Sequence, residues 1–204
     1  MAGSDVKAVI ITDEVALDAD GISVATSVGN NAALVIGGAL AESGSVTNAS
    51  GRQVTILSAG NDSSKAFDVV GTDVNGASLT ERVTGANAGT ATSSGYFKTI
   101  VSITAVGNPA GDVSAGINSN ALGVIFADRT RLQGFSFVSG GAAGTANVRE
   151  TGATGTEVVQ FRTTGTDNQS DGARGFPDEG LLFKTGCFVT FVVGTVDLMM
   201  FYHA

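Results

Sequence analysis

Ala66-Phe67-Asp68-Val69-Val70-Gly71-Thr72, then Asp73-Val74-Asn75-Gly76, then Leu79-Thr80-Glu81-Arg82-Val83-Thr84 is the stretch that decides the fold. Two runs with period-two alternation flank a segment whose Asn75-Gly76 tolerate the positive φ that a tight reversal requires. The unit predicted is a β-hairpin. Toward the N-terminus, Gln53-Val54-Thr55-Ile56-Leu57-Ser58 is a β-branched run closed by Ala59-Gly60-Asn61-Asp62. Toward the C-terminus, Tyr96 to Val106 is the longest strand candidate. Its Phe97, Thr99, Val101 and Ile103 cannot all share a face with Ile100, which predicts a bend or bulge partway, with core contacts on both sides. Asn108-Pro109-Ala110-Gly111 ends it, because proline brings no amide hydrogen to a ladder. Asp112 to Ile117 is one more short strand.

Asn118-Ser119-Asn120 is small, polar and turn-forming, and marks the predicted domain boundary. Beyond it the strands grow richer in phenylalanine: Gly123 to Phe126, Leu132 to Val138, Thr145 to Arg149 and Glu157 to Arg162. Thr163 to Gly175 is polar, contains glycine and has no periodicity, so it reads as an exposed loop. Two strongly apolar segments finish the chain, Leu181 to Phe183 with Cys187 to Val193, and Val196 to Tyr202. Gly194-Thr195 between the last two reads as a tight hairpin turn. Helical periodicity is confined to Asn31 to Glu42, and there Gly37-Gly38 costs about 1 kcal/mol per glycine relative to alanine, which favours strand plus turn. The fold class expected is all-β with little or no helix: two β-sandwich domains, Ig-like and then jelly-roll-like. Residues 1–117 form the first, with an N-terminal arm; residues 118–204 form the second, which oligomerises.

Composition narrows the function. Eleven basic against 19 acidic residues give a net charge of −8 over 204 residues, which disfavours nucleic acid, since phosphate neutralisation needs a clustered basic face. Apolar residues at 43% are enough for a core and argue against wholesale disorder. No apolar run is long enough for a membrane helix, so no membrane partner is expected. Met1 to Lys7 lacks the basic and apolar segments of a secretion signal.

The residues that carry chemistry are scarce. Cys187 and His203 are single examples of their kinds, too few for a nucleophile, a base and an orienting group unless serine or threonine substitutes. Cys187 between Gly186 and Phe188 reads as a small apolar core residue. Asp18-Ala19-Asp20-Gly21 and Asp73-Val74-Asn75-Gly76 resemble the opening of a calcium loop, but neither has the closing glutamate at the required distance, and a turn uses the same residues. Asp13, Glu14, Asp18 and Asp20 read as a solvated acidic face, with no aromatic platform for a sugar beside them. The glycines follow no phosphate-cradling spacing. No catalytic residue, metal ligand or cofactor is expected, and the protein is read as no enzyme.

The C-terminal segments are the most informative feature. Cys187 to Val193 and Val196 to Tyr202 are apolar on both sides of the pleat, whereas a strand on the outside of a sandwich shows one polar face. Something must cover the second face. Either a loop or the first domain overlies a central strand pair, or the pair is a subunit interface, to which phenylalanine, methionine and tyrosine are suited. The preferred reading is the interface, carried by Phe188, Phe191, Val193, Leu198, Met200 and Tyr202.

Several phrases resemble those of tailed-bacteriophage virion proteins. Arg52-Gln53-Val54-Thr55-Ile56-Leu57-Ser58-Ala59-Gly60-Asn61-Asp62-Ser63 is similar to a phrase shared by many of their small structural proteins. Phe67 to Asp73 with Asn75-Gly76, Thr80 to Asn87 and Phe97 to Thr104 are similar to its continuation. Phe176-Pro177-Asp178-Glu179-Gly180-Leu181-Leu182-Phe183-Lys184-Thr185-Gly186-Cys187-Phe188-Val189 is like a phrase that closes many small virion β-proteins. The resemblance implies a virion component assembled in the cytoplasm of the host bacterium. Its shared positions are turn and core residues, so it brings no catalytic or ligand residue with it. With the chain's length and lack of shaft repeats, it leads to a capsid decoration (cement) protein, a homotrimer that bridges the major capsid protein or other virion proteins. The alternative is a tail, neck or protrusion adhesin that recognises a host-surface glycan or protein, with Thr163 to Gly175 as its binding loop.

Overall fold

The computed structural model describes residues 6–12, 17–140, 143–162, 167–192 and 196–203. It is all-β, and among these residues there is no helix. The chain divides into two compact units, Val15–Ser119, and Met1–Glu14 with Asn120–Ala204. The division after Ser119 lies close to the predicted boundary, but the N-terminal segment belongs with the C-terminal unit. The reason is its pairing. β1 (Val6–Thr12) forms a continuous antiparallel ladder with the last strand of the chain, Val6 opposite His203 and Ile10 opposite Met199.

The Val15–Ser119 unit contains β2 (Asp18–Thr26), β3 (Ala41–Glu42), β4 (Ser45–Ser58), β5 (Ala66–Thr72), β6 (Ser78–Thr84), β7 (Thr90–Thr92), β8 (Phe97–Val106) and the first half of β9 (Val113–Phe126). Its strands follow the order β9, β4, β8, β5, β6. β4 changes partner along its length, meeting β8 at Val46, Thr47 and Arg52 and β7 at Thr55 to Leu57. One core draws Ile22, Val54, Ile56, Phe67, Val69, Ile100, Ile103 and Ile117 from these strands. Strands of a single ladder can enclose one core only if the sheet curls, and that is what the switch of partners on β4 allows. Residues 31 to 42 contain no helix: Ala33 bridges Thr104, and Ala41–Glu42 turns back onto β4.

The predicted hairpin is present, with Thr72 opposite Ser78. Its reversal is looser than expected, since only Gly76 has a positive φ (82°). The work falls to Asp73, whose Oδ1 accepts the amides of Asn75 (2.8 Å) and Ala77 (2.9 Å). β8 contains the predicted bulge. Val70 pairs with Ser102 and Gly71 with Ile100, so Val101 is the extra residue and stays exposed. The bulge corrects the expectation of core contacts on both sides, because it brings Ile100 and Ile103 to the same core, which Phe97 and Ala105 also join.

β9 corrects another reading. Asn118-Ser119-Asn120 lies inside a strand, not a turn. Polar partners hold it there: Asn118 Nδ2 donates to Gln53 Oε1 at 2.8 Å and Arg52 Nη1 to the Ser119 carbonyl at 3.3 Å. Asp62, at the end of the phrase that begins at Arg52, is fully buried and accepts the Ala110 amide at 2.7 Å. It thereby ties the turn after β4 to the turn before β9.

The other unit is a sandwich of two sheets. It adds β10 (Thr130–Gly140), β11 (Thr145–Glu150), β12 (Glu157–Arg162), β13 (Asp167–Gly175), β14 (Leu181–Phe183), β15 (Cys187–Val192) and β16 (Val196–His203). One sheet has the order β1, β16, β10, β13, with β14 also on β10; the other has β12, β11, β15 and the second half of β9. Between them lie Ile11, Leu132, Leu198 and Met200 from the first, and Ala146, Val148, Cys187, Val189 and Phe191 from the second. Phe135 joins them, its ring 4.2 Å from that of Phe161 and 5.7 Å from that of Phe176.

Two expectations fail here. β15 and β16 are not a hairpin: they are sequence neighbours in different sheets, β15 between β9 and β11, β16 between β1 and β10. Gly194-Thr195 lies outside the described residues. The expected loop at Thr163 to Gly175 is, from Asp167 onward, the strand β13 paired with β10; 163–166 lie outside the described residues. β13 is polar in composition along its length, so no alternation marks it, and a short polar strand at a sheet end is what protects such an edge.

Candidate functional site

The interface expected from the C-terminal segments is placed differently by the structure. Phe188, Phe191, Leu198 and Met200 are 4%, 1%, 0% and 0% exposed in a single copy of the chain. Side chains already covered by their own unit have no surface to offer another, so these four are core residues. Tyr202 is half-buried against the same core, its ring 5.5 Å from that of Phe126. Val193 lies outside the described residues. The two-sided apolar character of Cys187 to Phe191 has an internal explanation. One side faces the sandwich core, and on the other Thr190 is opposite Asn147 and within 3.3 Å of Arg149 Nε.

β16 is different, because its second side is not covered. Alternation sends Leu198 and Met200 inward and Met199 and Phe201 outward, where they are half-exposed. The ladder aligns Ile10 with Met199 and Ala8 with Phe201, and on the other flank Val138 with Asp197 and Ser136 with Met199. Outward on this face stand Val6, Ile10 and Val138, exposed by 46%, 61% and 37%. Three strands about 4.8 Å apart, each presenting some seven residues at about 3.3 Å, give a footprint on the order of 300 Å². The apolar side chains cover only part of this footprint, since Asp197, Ser136 and His203 share the face, and a cluster of exposed apolar side chains of this kind can mark a contact site.

The outer face of the opposite sheet is built otherwise. Gln160 Nε2 donates to Asn147 Oδ1 at 3.0 Å, Arg162 Nε to Gln160 Oε1 at 2.8 Å, and Arg149 to Gly155 O and Glu157 Oε2 at 3.0 Å each. These groups satisfy one another and suit water. One sandwich therefore has a face of mutually hydrogen-bonded polar groups and a drier face, where apolar side chains stand among Asp197, Ser136 and His203, and no reading of strand alternation alone separates them.

A cleft opens beside the dry face. Arg129, Thr130, Arg131, Gln133, Glu179 and His203 line a cavity of about 500 Å³. Register explains the grouping: Arg131 is directly opposite His203 on β16 and Leu182 on β14. The turn Pro177 to Gly180, held by the Gly180 amide on the Pro177 carbonyl at 3.2 Å, brings Glu179 to the rim. Arg131 Nη2 is 3.0 Å from Glu179 Oε2. Thr130 Oγ1 donates to the His203 carbonyl at 2.6 Å, and Gln133 Nε2 to the Glu179 carbonyl at 3.0 Å. In the sequence His203 stands alone, because Thr130 and Arg131, its neighbours here, are some 70 positions away.

The remaining candidates are accounted for locally. Asp18-Ala19-Asp20-Gly21 opens β2 instead of forming a turn, and Asp73 spends its carboxylate on backbone amides. Asp13 and Glu14 lie outside the described residues. Among the described residues no group of three His, Cys, Asp or Glu side chains could hold a metal ion, and no helix is long and apolar enough to cross a membrane. Burial pushes the Cys187 thiol up to about 12, with the nearby Glu150 carboxylate adding to the effect. Comparison of the chain with protein-family models, with curated proteins and with solved structures finds no match to any of them.

Proposed function

We propose that the protein is a structural subunit of a tailed-bacteriophage particle, a capsid decoration protein whose dry β1–β16–β10 face seats on the major capsid protein. The observation that carries the reading is the outward row Val6, Ile10, Met199, Phe201 and Val138 on a sheet whose inner side is already filled. The phage setting is supported by the resemblance of Arg52 to Ser63 and Phe176 to Val189 to phrases of virion proteins. Two of those phrases have structural roles that suit a rigid brick: Asp62 joins two turns, and Phe176 to Gly180 docks on β10 through the Phe176 amide to Gln133 O bond at 2.7 Å.

The face is small beside a standard interface of about 800 Å² per partner, so it anchors the contact and flanking polar groups extend it. A partner that binds only the assembled shell stabilises that shell by about 2.7 kcal/mol at a hundredfold excess over Kd. Occupancy of every lattice position multiplies this against the pressure of packed DNA. Trimerisation about local threefold axes and assembly in the bacterial cytoplasm belong to the same proposal. Quantitative mass spectrometry of purified particles tests it: copies by the hundred per particle are expected, and a ring's worth, a dozen or fewer, would overturn the decoration role.

A further inference from the structure

We propose that the cleft formed by Arg129, Arg131 and His203 is a binding site for a carboxylated sugar. The cleft lies at the end of the same outer face, where His203 is opposite Val6 and Arg131, but the inference needs no particle and is tested on the isolated chain.

The first consideration is charge. The chain is acidic overall, with a net charge of −8, yet this cavity collects two guanidinium groups and an imidazole around one carboxylate. Counting the permanently charged groups of the lining, Arg129 and Arg131 against Glu179 leave one positive charge. That matches a ligand bearing a single negative charge and disfavours polyanions, which the surrounding acidic protein also repels. The second is geometry. Arg129 makes no ion pair among the described residues, so its planar fork is available for two parallel hydrogen bonds to a carboxylate. The Arg131–Glu179 pair is exposed, by 33% and 80%, and such pairs contribute little. A ligand carboxylate can therefore take the place of Glu179 on Arg131 at small cost.

The third is the rest of the lining. The six lining side chains all end in polar groups, while their carbon stems supply about as much of the wall as the polar atoms do. A ring that carries hydroxyl groups suits such a wall: its C–H faces rest on the stems, and Gln133, Thr130 and Glu179 offer donors and acceptors around its edge. A cavity of about 500 Å³ lies within the ordinary range for small-ligand sites, about 300 to 1,000 Å³. The chemistry shared by these features is one carboxylate on a hydroxylated ring, the pattern of a uronic or sialic acid.

The test is calorimetric titration of the full chain with galacturonate, glucuronate and N-acetylneuraminate, with galactose and inorganic phosphate alongside. At least one sugar acid is expected to bind in the millimolar range, with galactose silent and phosphate weaker. Arg129→Ala and Arg131→Ala, each checked for an unchanged melting curve, should weaken binding by about tenfold or more. Glu179→Gln should strengthen it several-fold, because Arg131 loses its competitor. If one arginine variant melts early, the other together with Glu179→Gln still decides. No binding by any sugar acid, equal binding of galactose, tighter binding of phosphate, or a Glu179→Gln variant that binds more weakly would each overturn the assignment.

Discussion

Ile10 and Met199 stand directly opposite each other across β1 and β16 with their side chains on the outer face, while the next pair, Ile11 and Leu198, is buried in the sandwich core. One step along the ladder separates a residue that holds the unit together from one free to hold something else. The functional account depends on that step, and substitution separates the two roles.

Ile10→Lys is expected to leave stability within about 0.5 kcal/mol, since an edge strand tolerates lysine and the site is exposed. Leu198→Asp should cost at least about 3 kcal/mol, because it places a carboxylate among apolar neighbours. Urea denaturation of the two variants checks the contrast. Binding to particles should be lost in the first despite its intact fold.

Asp62→Ala removes the buried carboxylate that accepts the Ala110 amide and should destabilise the Val15–Ser119 unit by about 1–3 kcal/mol, spanning the range for a hydrogen bond to a charged group. Asp62→Asn keeps an acceptor at the same place and should cost less. Thermal or urea unfolding ranks the pair; equal losses would show that the bond to Ala110 is not what fixes the turn.

The Asp68–Arg82 pair gives a defined pH signature. The bidentate hydrogen bonds from Arg82, at 2.7 Å each, hold the Asp68 carboxyl below its ordinary range. A lowered folded-state pKa means that the contribution is present above the unfolded value of about 3.9 and is lost as pH falls through the folded value. Arg82 is exposed and Asp68 only partly buried, so the effect on stability is slight and the titration is the better reporter. An NMR titration of Arg82→Ala should move the Asp68 midpoint upward.

Cys187 should be inert to iodoacetamide in the native protein at pH 8 and react rapidly once urea unfolds the chain. Its thiol is buried and pushed up to about 12, which leaves almost no thiolate. Labelling followed by mass spectrometry reads this directly, and fast native labelling would contradict the placement of β15 in the core.

Much of this architecture is legible in the residues. Asp73 to Gly76 announces a reversal, and the broken alternation around Ile100 announces a bulge, because both are local backbone requirements. What depends on distant pairing is not. Cys187 to Val192 and Val196 to His203 look like a hairpin because they are adjacent, yet each fits better between strands of its own sheet. Apolar residues on both sides of a strand mean coverage without saying by what, so Phe188 and Met200 read as interface when they are core. Val6-Lys7-Ala8-Val9-Ile10-Ile11, which reads as an N-terminal arm, supplies the strand that completes the outer face, because its partner β16 lies at the far end of the sequence. Arg129, Arg131 and His203 become neighbours only through the register of β10 on β16.

Met199 and Met200 offer the most direct measurement, since one is turned outward and the other into the core, and both sulfurs report solvent access by oxidation. Hydroxyl-radical footprinting would compare the free protein with the protein on isolated particles. The account expects Met199 to be oxidised readily when free and protected on the particle, with Met200 slow in both. Equal oxidation of Met199 in the two states, or particles that do not contain the chain, would contradict it.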